Sequence, residues 1–490
     1  MDAPRSLHPP HAPGLSDGPV VGDRPVRSLN VLDLPTVPEL EDCIRCGLCL
    51  SVCPTYRPTG VEGDSPRGRV ALVKAQVEGK ADPATPTFQE HMDLCLQCMA
   101  CHTVCPTDVS AGAVVARQKS YMRATRPRTP RQRLLLHLVF EGLFPHYGRM
   151  EFVSAPLRLY KRSGAQWLVR RGGLLRRLPG PLWLMEALLP ARVGRPARRR
   201  IPEVTPPRPV GRAGSGRGYS PPTPLTRTVR GGEEARAPRV AFHLCCVNNV
   251  MFPDATEASV RVLARNGAEV MTPRGVTCCG APHETEGEME VGRALARRNI
   301  ALYESLDVDY VIADAAACGM ALKQYGHWFA HDEAWRARAE ALSSRVRDIH
   351  EYLAASDIAP PAMPASATGE RAEKVRVTYD DPCHLCHGQG ISRQPRELLK
   401  RIPGIEYVEL PEASWCCGSA GAYNITQPEM AETILKDKVE HIRATGADII
   451  ASANPGCMLQ LEAGLRRYGV KGTVRHVTEL LDAAYQGDAT

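Results

Sequence analysis

Aromatic residues are scarce, at 5% of a 490-residue chain, so the interior is expected to be aliphatic or organised around something other than rings. No apolar run approaches the roughly 18 residues that a spanning helix needs, and no transmembrane helix is expected. The start, "MDAPRSLHPPHAPGLSDGP", has no apolar core; it reads as a Pro-rich disordered tail over residues 1–35 and not as a signal peptide. A credible phosphate-binding glycine loop is also missing. "GRAGSGRG" lies in a Pro/Gly/Arg/Ser-rich stretch, 201–236, with no strand before it and no helix after it, so it reads as flexible linker.

Eighteen cysteines stand against these absences. Without an export signal they are expected in a reducing compartment, where thiolates bind metal more often than they pair. The expected location is therefore cytoplasmic. At 43% hydrophobic and 23% charged the chain is ordinary for a globular protein, long enough for about three domains.

Two cysteine cages share one spacing. "DCIRCGLCLSVCPTYR" carries Cys43, Cys46, Cys49 and Cys53, and "DLCLQCMACHTVCPTD" carries Cys95, Cys98, Cys101 and Cys105, each followed by proline. Cys-x₂-Cys-x₂-Cys-x₃-Cys-Pro is the bacterial ferredoxin spacing, in which the fourth cysteine ligates the neighbouring cluster. This assigns Cys43, Cys46, Cys49 and Cys105 to a first [4Fe–4S] cluster, and Cys95, Cys98, Cys101 and Cys53 to a second. Structural zinc is the competing reading, but zinc modules favour separated Cys-x₂-Cys pairs. Residues 36–122 are thus expected to form a helical two-cluster domain. Its cages are joined by a short helix within "SPRGRVALVKAQVEGK".

Residues 123–200 alternate apolar and arginine-rich patches. Between Arg123 and Arg200 stand 18 Lys/Arg and 3 Asp/Glu, a local +15 in a chain of net +7, which leaves −8 for the remainder. A basic amphipathic helical segment is expected, suited to an anionic bilayer surface or to a partner subunit. No nucleic-acid recognition module accompanies the charge, so a nucleic-acid partner is not expected.

The remaining sequence is duplicated, 237–356 and 374–486. "RVAFHLCCVNN" is answered by "VRVTYDDPCHLCHG", "TPRGVTCCGAPHE" by "LPEASWCCGSAGA", and "VIADAAACGMALKQYG" by "IIASANPGCMLQLEAGLRRYG". Cys246 to Cys278 spans 32 residues and Cys383 to Cys416 spans 33; Cys279 to Cys318 spans 39 and Cys417 to Cys457 spans 40. Each repeat reads strand, Cys loop, helix, strand, Cys-Cys-Gly loop, helix, strand, Cys loop, helix. That order implies α/β layers on a parallel sheet, with the cysteines gathered at one sheet edge. The expected architecture is a multidomain α+β chain: a helical two-cluster ferredoxin domain, then a duplicated α/β Cys-Cys-Gly domain. Inert burial would not repeat this pattern in register, so the cysteines are candidates for metal or redox chemistry: Cys246, Cys278, Cys279 and Cys318, then Cys383, Cys416, Cys417 and Cys457, with Cys245 and Cys386 beside them. His283, His384 and His387 flank these loops as candidate ligands or hydrogen-bond donors.

A double ferredoxin followed by two Cys-Cys-Gly repeats resembles the iron–sulfur subunit of glycolate oxidase, over roughly residues 36–485. The resemblance is strongest in "SPRGRVAL", "VMTPRGVTCCGAPH", "DPCHLCHGQG", "CCGSAGAYNITQPEMA" and "IIASANPGCMLQL". It implies two [4Fe–4S] clusters, further cluster chemistry in the repeats and no flavin in this chain. It also implies an FAD-containing hydroxyacid dehydrogenase partner, with electrons passed toward a quinone or other acceptor, and a peripheral position at the inner face of the cytoplasmic membrane. The substrate oxidation, glycolate to glyoxylate, is then the partner's; no catalytic residue is expected here. The architecture is shared with anaerobic glycerol-3-phosphate dehydrogenase and heterodisulfide reductase subunits, and D-lactate is a competing substrate. Heterodisulfide-reductase repeats end in Cys-x₂-Cys, whereas Ala321 and Gln460 stand at the second of those positions here. This departure counts against the rival thiol–disulfide reductase function and leaves Cys245 or Cys386 as candidate extra ligands.

Overall fold

The computed structural model describes residues 34–125, 129–172, 186–190, 194–208, 237–356, 358, 361 and 374–486. Residues 1–33 of the expected 1–35 tail, and the "GRAGSGRG" stretch of the linker, lie outside the described residues.

The ferredoxin region is built from short helices between two cysteine loops. Ser65 accepts a hydrogen bond from Gly68 N–H and Pro66 occupies the first turn, so the expected connecting helix runs Pro66–Val77. Its Val70 and Val73 pack with Phe88 and Met92 from the Pro86–Asp93 helix and with Val114, Val115 and Met122 from the Ala111–Thr125 helix. This small aliphatic core leaves both cysteine loops at its edge.

The basic segment folds as helices Pro130–Leu136, Tyr147–Arg162 and Ala165–Gly172, the first continued by a wider π-type turn over His137–Leu143. One side is buried: Phe140, Tyr147, Glu151 and Ser154 face inward. The other exposes Phe152 (79%), Leu159 (70%), Leu168 (67%) and Trp167 (61%).

Each repeat carries a parallel sheet. Strands β1 (Val204–Thr205), β2 (Arg239–His243), β3 (Glu269–Met271), β4 (Tyr310–Ala313) and β5 (Val346–Asp348) form the first, in the order β1-β3-β2-β4-β5. Strands β6 (Val375–Tyr379), β7 (Ile405–Tyr407), β8 (Ile449–Ser452) and β9 (Thr473–His476) form the second, in the order β7-β6-β8-β9. Every pairing is parallel except that of β1 with β3. Two features go beyond the sequence reading. The closing segments "VRD" and "TVRH" are fourth strands, too short to show a period, and β1 adds an edge strand from the start of the linker.

The repeats face each other about a pseudo-two-fold axis. The Pro253–Arg265 helix packs on the other repeat's Val477–Gln486 helix, and the Ile349–Ala355 helix on Arg393–Lys400. Arg261 pairs with Asp482 at 2.7 Å across the first of these contacts. The cysteine-bearing elements meet in the same way. The Cys246–Met251 helix touches Pro455–Tyr468, and the Ala316–Lys323 helix touches Cys383–Cys386. Ala316 N–H donates to Ala453 O at 3.0 Å, joining the two sheet edges through backbone.

Candidate metal centres

The two ferredoxin loops curl alike. Arg45 and Gly47 in the first, and Gln97 and Met99 in the second, hold equivalent left-handed positions, with φ of 57°, 85°, 53° and 63°. Gly47 takes this conformation without cost; Met99 takes it with strain.

Cys53, Cys95, Cys98 and Cys101 line one small cavity, with Arg69 at its wall. This is the set that the interlocked spacing assigns to the second cluster, with Cys53 contributed by the first loop. A four-thiolate cavity fed from two loops fits an iron–sulfur group. Burial pushes the Cys101 thiol up to about 12 and drives Cys98 well above the ordinary thiol range, so ionising them requires nearby positive charge. Arg69, 2% exposed, donates from both Nη atoms to Thr55 Oγ1 at 3.1 Å, and that hydroxyl lies 3.3 Å from Cys53 Sγ. Lys119, also buried, donates to Cys95 O at 3.3 Å.

The first set is more open. Cys43 and Cys49 are close enough to interact electrostatically, and Cys46 is exposed. Cys105 follows the Ala100–Thr103 turn, which packs on the Leu48–Leu50 turn carrying Cys49, and accepts from Val109 N–H at 3.2 Å. Ile44 and Leu48 beside Cys46 are 63% and 55% exposed.

In the repeats the parallel sheets carry every strand-following cysteine to one edge. The sequence reading put them all in loops. Instead Cys246, Cys318, Cys383 and Cys457 sit in the first turns of helices, and Cys386 ends the four-residue Cys383–Cys386 helix. Cys278, Cys279, Cys416 and Cys417 do lie in loops. The glycine of each Cys-Cys-Gly is needed by its backbone: Gly280 has φ +92° and Gly418 φ +84°. A Cβ on either would also fall 2.9 Å from Trp328 and 2.7 Å from Ala431 O, respectively.

In the first repeat the five thiols neighbour one another in a closed ring. Cys245 meets Cys246 and Cys318, Cys246 also meets Cys278, and Cys279 bridges Cys278 and Cys318. All five are buried. His243 has a ring nitrogen clustered with the Cys279 and Cys318 sulfurs within 4.8 Å, and burial holds it neutral, with a pKa down to about 4. The basic segment closes this site: Tyr147 donates to Leu244 O, and His283 Nε2 pairs with Phe140 O at 2.8 Å, leaving its buried Nδ1 without a hydrogen-bond partner.

In the second repeat the thiols form an open chain, Cys383 to Cys416 to Cys417 to Cys457. Gly418 N–H donates to Cys416 Sγ at 3.4 Å and Asn454 Nδ2 to Cys457 Sγ at 3.5 Å. Beneath them lies a buried ion pair, Lys438 Nζ to Asp380 Oδ1 at 2.8 Å. Lys438 also donates to Ala413 O and Trp415 O at 2.6 and 3.0 Å, pinning the Cys-Cys-Gly loop. Cys386 turns away, its sulfur 4.0 and 3.9 Å from the Asp381 and Cys383 carbonyls.

The second cage is pressed onto this repeat. Cys98 interacts electrostatically with Cys383 and Cys416, and Leu96, Trp415 and Tyr423 seal the contact. His384 Nε2 pairs with Gln97 O at 3.2 Å, and His387 Nδ1 with Thr103 Oγ1 at 2.8 Å. Both histidines therefore serve the docking. Sequence reasoning missed His243, Asn299, Asp380 and Lys438. His243 was within reach, since it stands three residues before Cys246 in "RVAFHLCC". Lys438 and Asn299 fall at matching places on equivalent helices, visible only by aligning the repeats outside their cysteines.

Comparison with known proteins fits this geometry region by region. The "4Fe-4S dicluster domain" family matches residues 39–109, and the "Cysteine-rich domain" family matches 240–323 and 377–462. The "Glycolate oxidase iron-sulfur subunit, linker region" family matches 131–189. A Bacillus subtilis protein named "Probable glycolate oxidase iron-sulfur subunit" is 37% identical over 90% of this chain and 93% of its own length. The chain belongs to the glycolate oxidase iron–sulfur subunit family. The Escherichia coli glycolate oxidase iron–sulfur subunit is 27% identical over 91% of this chain and 94% of its own. Lactate utilization protein A of Oceanobacillus iheyensis is 30% identical over 51% of this chain and 98% of its own. This family's chain is an iron–sulfur electron-transfer subunit of an oxidase or dehydrogenase, and it works with a partner subunit. Among the described residues no helix is long and apolar enough to cross a membrane.

Proposed function

We propose that this chain conducts electrons within a glycolate-oxidising complex, between a partner flavin subunit that forms glyoxylate and a quinone or similar acceptor. The contact of Cys98 with Cys383 and Cys416 carries this reading. It sets a ferredoxin cage against the cysteines of the second repeat, in one buried cluster with Leu96, Trp415 and Tyr423. Iron–sulfur groups bound here supply one-electron steps, complementing a flavin that accepts two electrons together.

The chain's own residues give the path a direction. Cys43, Cys46, Cys49 and Cys105 hold the outer group, and the exposed Ile44, Leu48 and Cys46 offer the partner a dry, close approach. Cys53, Cys95, Cys98 and Cys101 hold the inner one. Arg69 and Lys119 favour electron arrival there by adding positive charge. Beyond Cys98 the path reaches the second repeat and, through the Ala316–Ala453 junction, the first. Phe152, Leu159, Trp167 and Leu168, set among arginines, suit contact with an anionic membrane surface, at the inner face of the cytoplasmic membrane.

The test is anaerobic capture of the chain from its own cells, followed by glycolate addition and a reading of cluster absorbance. Co-purified flavin and bleaching by glycolate are expected. Bleaching by D-lactate or glycerol 3-phosphate alone moves the substrate and keeps the conductor. Cys98→Ser should abolish electron delivery and spare the partner's flavin reduction; retained whole-complex turnover sinks the path.

A further inference from the structure

The repeats align residue by residue around their first cysteine: Cys246 matches Cys383, and the preceding residue is Cys245 in one repeat and Pro382 in the other. This single difference decides the shape of each thiol set. Cys245 is buried beside Cys246 and neighbours Cys318, so that five buried thiols gather in this repeat, with Cys279 and Cys318 clustered on His243. Pro382 offers no sulfur, and the second set stays an open chain of four. The extra thiol of the second repeat does not compensate, because Cys386 lies one helical turn beyond Cys383 and directs its sulfur at the Asp381 and Cys383 carbonyls.

We propose that the two repeats hold chemically different iron–sulfur centres: a five-thiolate centre in the first, ligated by Cys245, Cys246, Cys278, Cys279 and Cys318, and a four-thiolate centre in the second, ligated by Cys383, Cys416, Cys417 and Cys457. The inference rests on the iron–sulfur reading of the repeats given above. A four-sulfur set suits one tetrahedral metal or one cubane. A fifth converging thiolate exceeds what either accepts, and the ring therefore fits an extended cluster with an additional iron–sulfur bond. Cys245 supplies from the β2 side the ligand that Ala321 lacks on the helix side. His243, against Cys279 and Cys318, is placed to hydrogen-bond the cluster sulfur or to cap an iron. Its counterpart in the second repeat is Asp380, which is committed to Lys438.

The experiment uses the full chain, purified anaerobically, with iron and acid-labile sulfide counted and electron paramagnetic resonance spectra recorded at graded potentials. Cys318→Ser should remove one repeat centre and Cys457→Ser the other, each visible as lost iron and a lost signal. Cys245→Ser should remove or shift the same signal as Cys318→Ser, and Cys386→Ser should change neither iron nor spectrum. Pro382→Cys should shift the second repeat's signal toward that of the first, a gain that survives even if Cys245→Ser does not fold. Loss of a centre in Cys318→Ser, with Cys245→Ser unchanged, overturns the five-thiolate assignment alone. So does a lost centre in Cys386→Ser, or an unaltered spectrum in Pro382→Cys. Wild-type iron no higher than in a combined Cys318→Ser, Cys457→Ser variant overturns the iron–sulfur reading itself.

Discussion

Lys438 and Asn299 occupy the same place in the two repeats, on the helix behind the Cys-Cys-Gly loop, and solve one problem by opposite means. Asn299 accepts from Thr277 N–H and its hydroxyl at 3.0 and 3.1 Å and donates to Cys278 O, all neutral bonds. Lys438 donates to two loop carbonyls and pairs with Asp380, with both charges sealed from water. Duplication therefore conserved the geometry of the loop and not its electrostatics. The neutral repeat surrounds five thiols and a neutral histidine. The ionic repeat surrounds four thiols and docks the ferredoxin cage. Asp380, and after it Cys417 and Cys457, attract the buried Lys438 charge, a charge that the first repeat does not have at Asn299.

The largest expected effect comes from breaking the ionic support. Lys438→Met leaves Asp380 buried and unpaired and should cost about 3–5 kcal/mol of stability, read by anaerobic denaturant titration. Adding Asp380→Asn should restore much of the loss, because the stranded charge and not the missing bond dominates. Asn299→Ala in the first repeat should cost about 1–3 kcal/mol, the penalty for unsatisfied buried amides rather than for a naked charge. Equal losses from the two single variants would contradict the comparison. Tyr147→Phe removes only the bond to Leu244 O and should cost about 1 kcal/mol. Its effect on the spectrum should be confined to the first repeat, since Tyr147 faces Leu244 and the cysteines of that repeat.

What the sequence disclosed follows the same division. Cysteine spacing is set by cluster geometry, so both ferredoxin cages, the duplication and the parallel α/β layers could be read directly. "SPRGRVAL" disclosed its helix because cap and proline are local. The fourth strands were hidden, since "VRD" and "TVRH" are strands only by virtue of neighbours more than twenty residues away. The docking of Cys98 on Cys383 was hidden for the same reason: nothing in "LCLQCMAC" names its partner surface. The amphipathic pattern of residues 130–172 announced helices but not their division of labour, in which Phe140 and Tyr147 roof a cysteine site while Phe152 and Trp167 stay exposed. Cys245 and Cys386 looked interchangeable as extra ligands, and only the path of the backbone separates them.

The pseudo-two-fold axis yields the smallest and sharpest comparison. Asp348 and His476 are equivalent residues, each placed just before the last helix of its repeat. Asp348 caps its helix and pairs with His350 Nδ1 at 2.7 Å. His476 instead meets Thr478 Oγ1 at 2.7 Å and Asp314 O at 2.8 Å, and its ring stands 5.6 Å from that of His350. Burial, followed by the neighbouring His350, drives the His476 pKa down to about 3. An unfolded chain takes up this proton near pH 6.5, whereas the native chain refuses it until about pH 3. The lowered native pKa means that stability is lost as pH falls below about 6.5 and that the loss levels off near 3. At pH 6 the contribution is about 0.8 kcal/mol, steepening toward about 1.4 kcal/mol per unit below that. His476→Gln keeps a hydrogen-bonding group and removes the proton site, so its stability relative to the parent chain should rise steadily from pH 7 to pH 5.5. A constant difference across that range would place the titrating load elsewhere and show that the two closing strands are equivalent in charge as well as in fold.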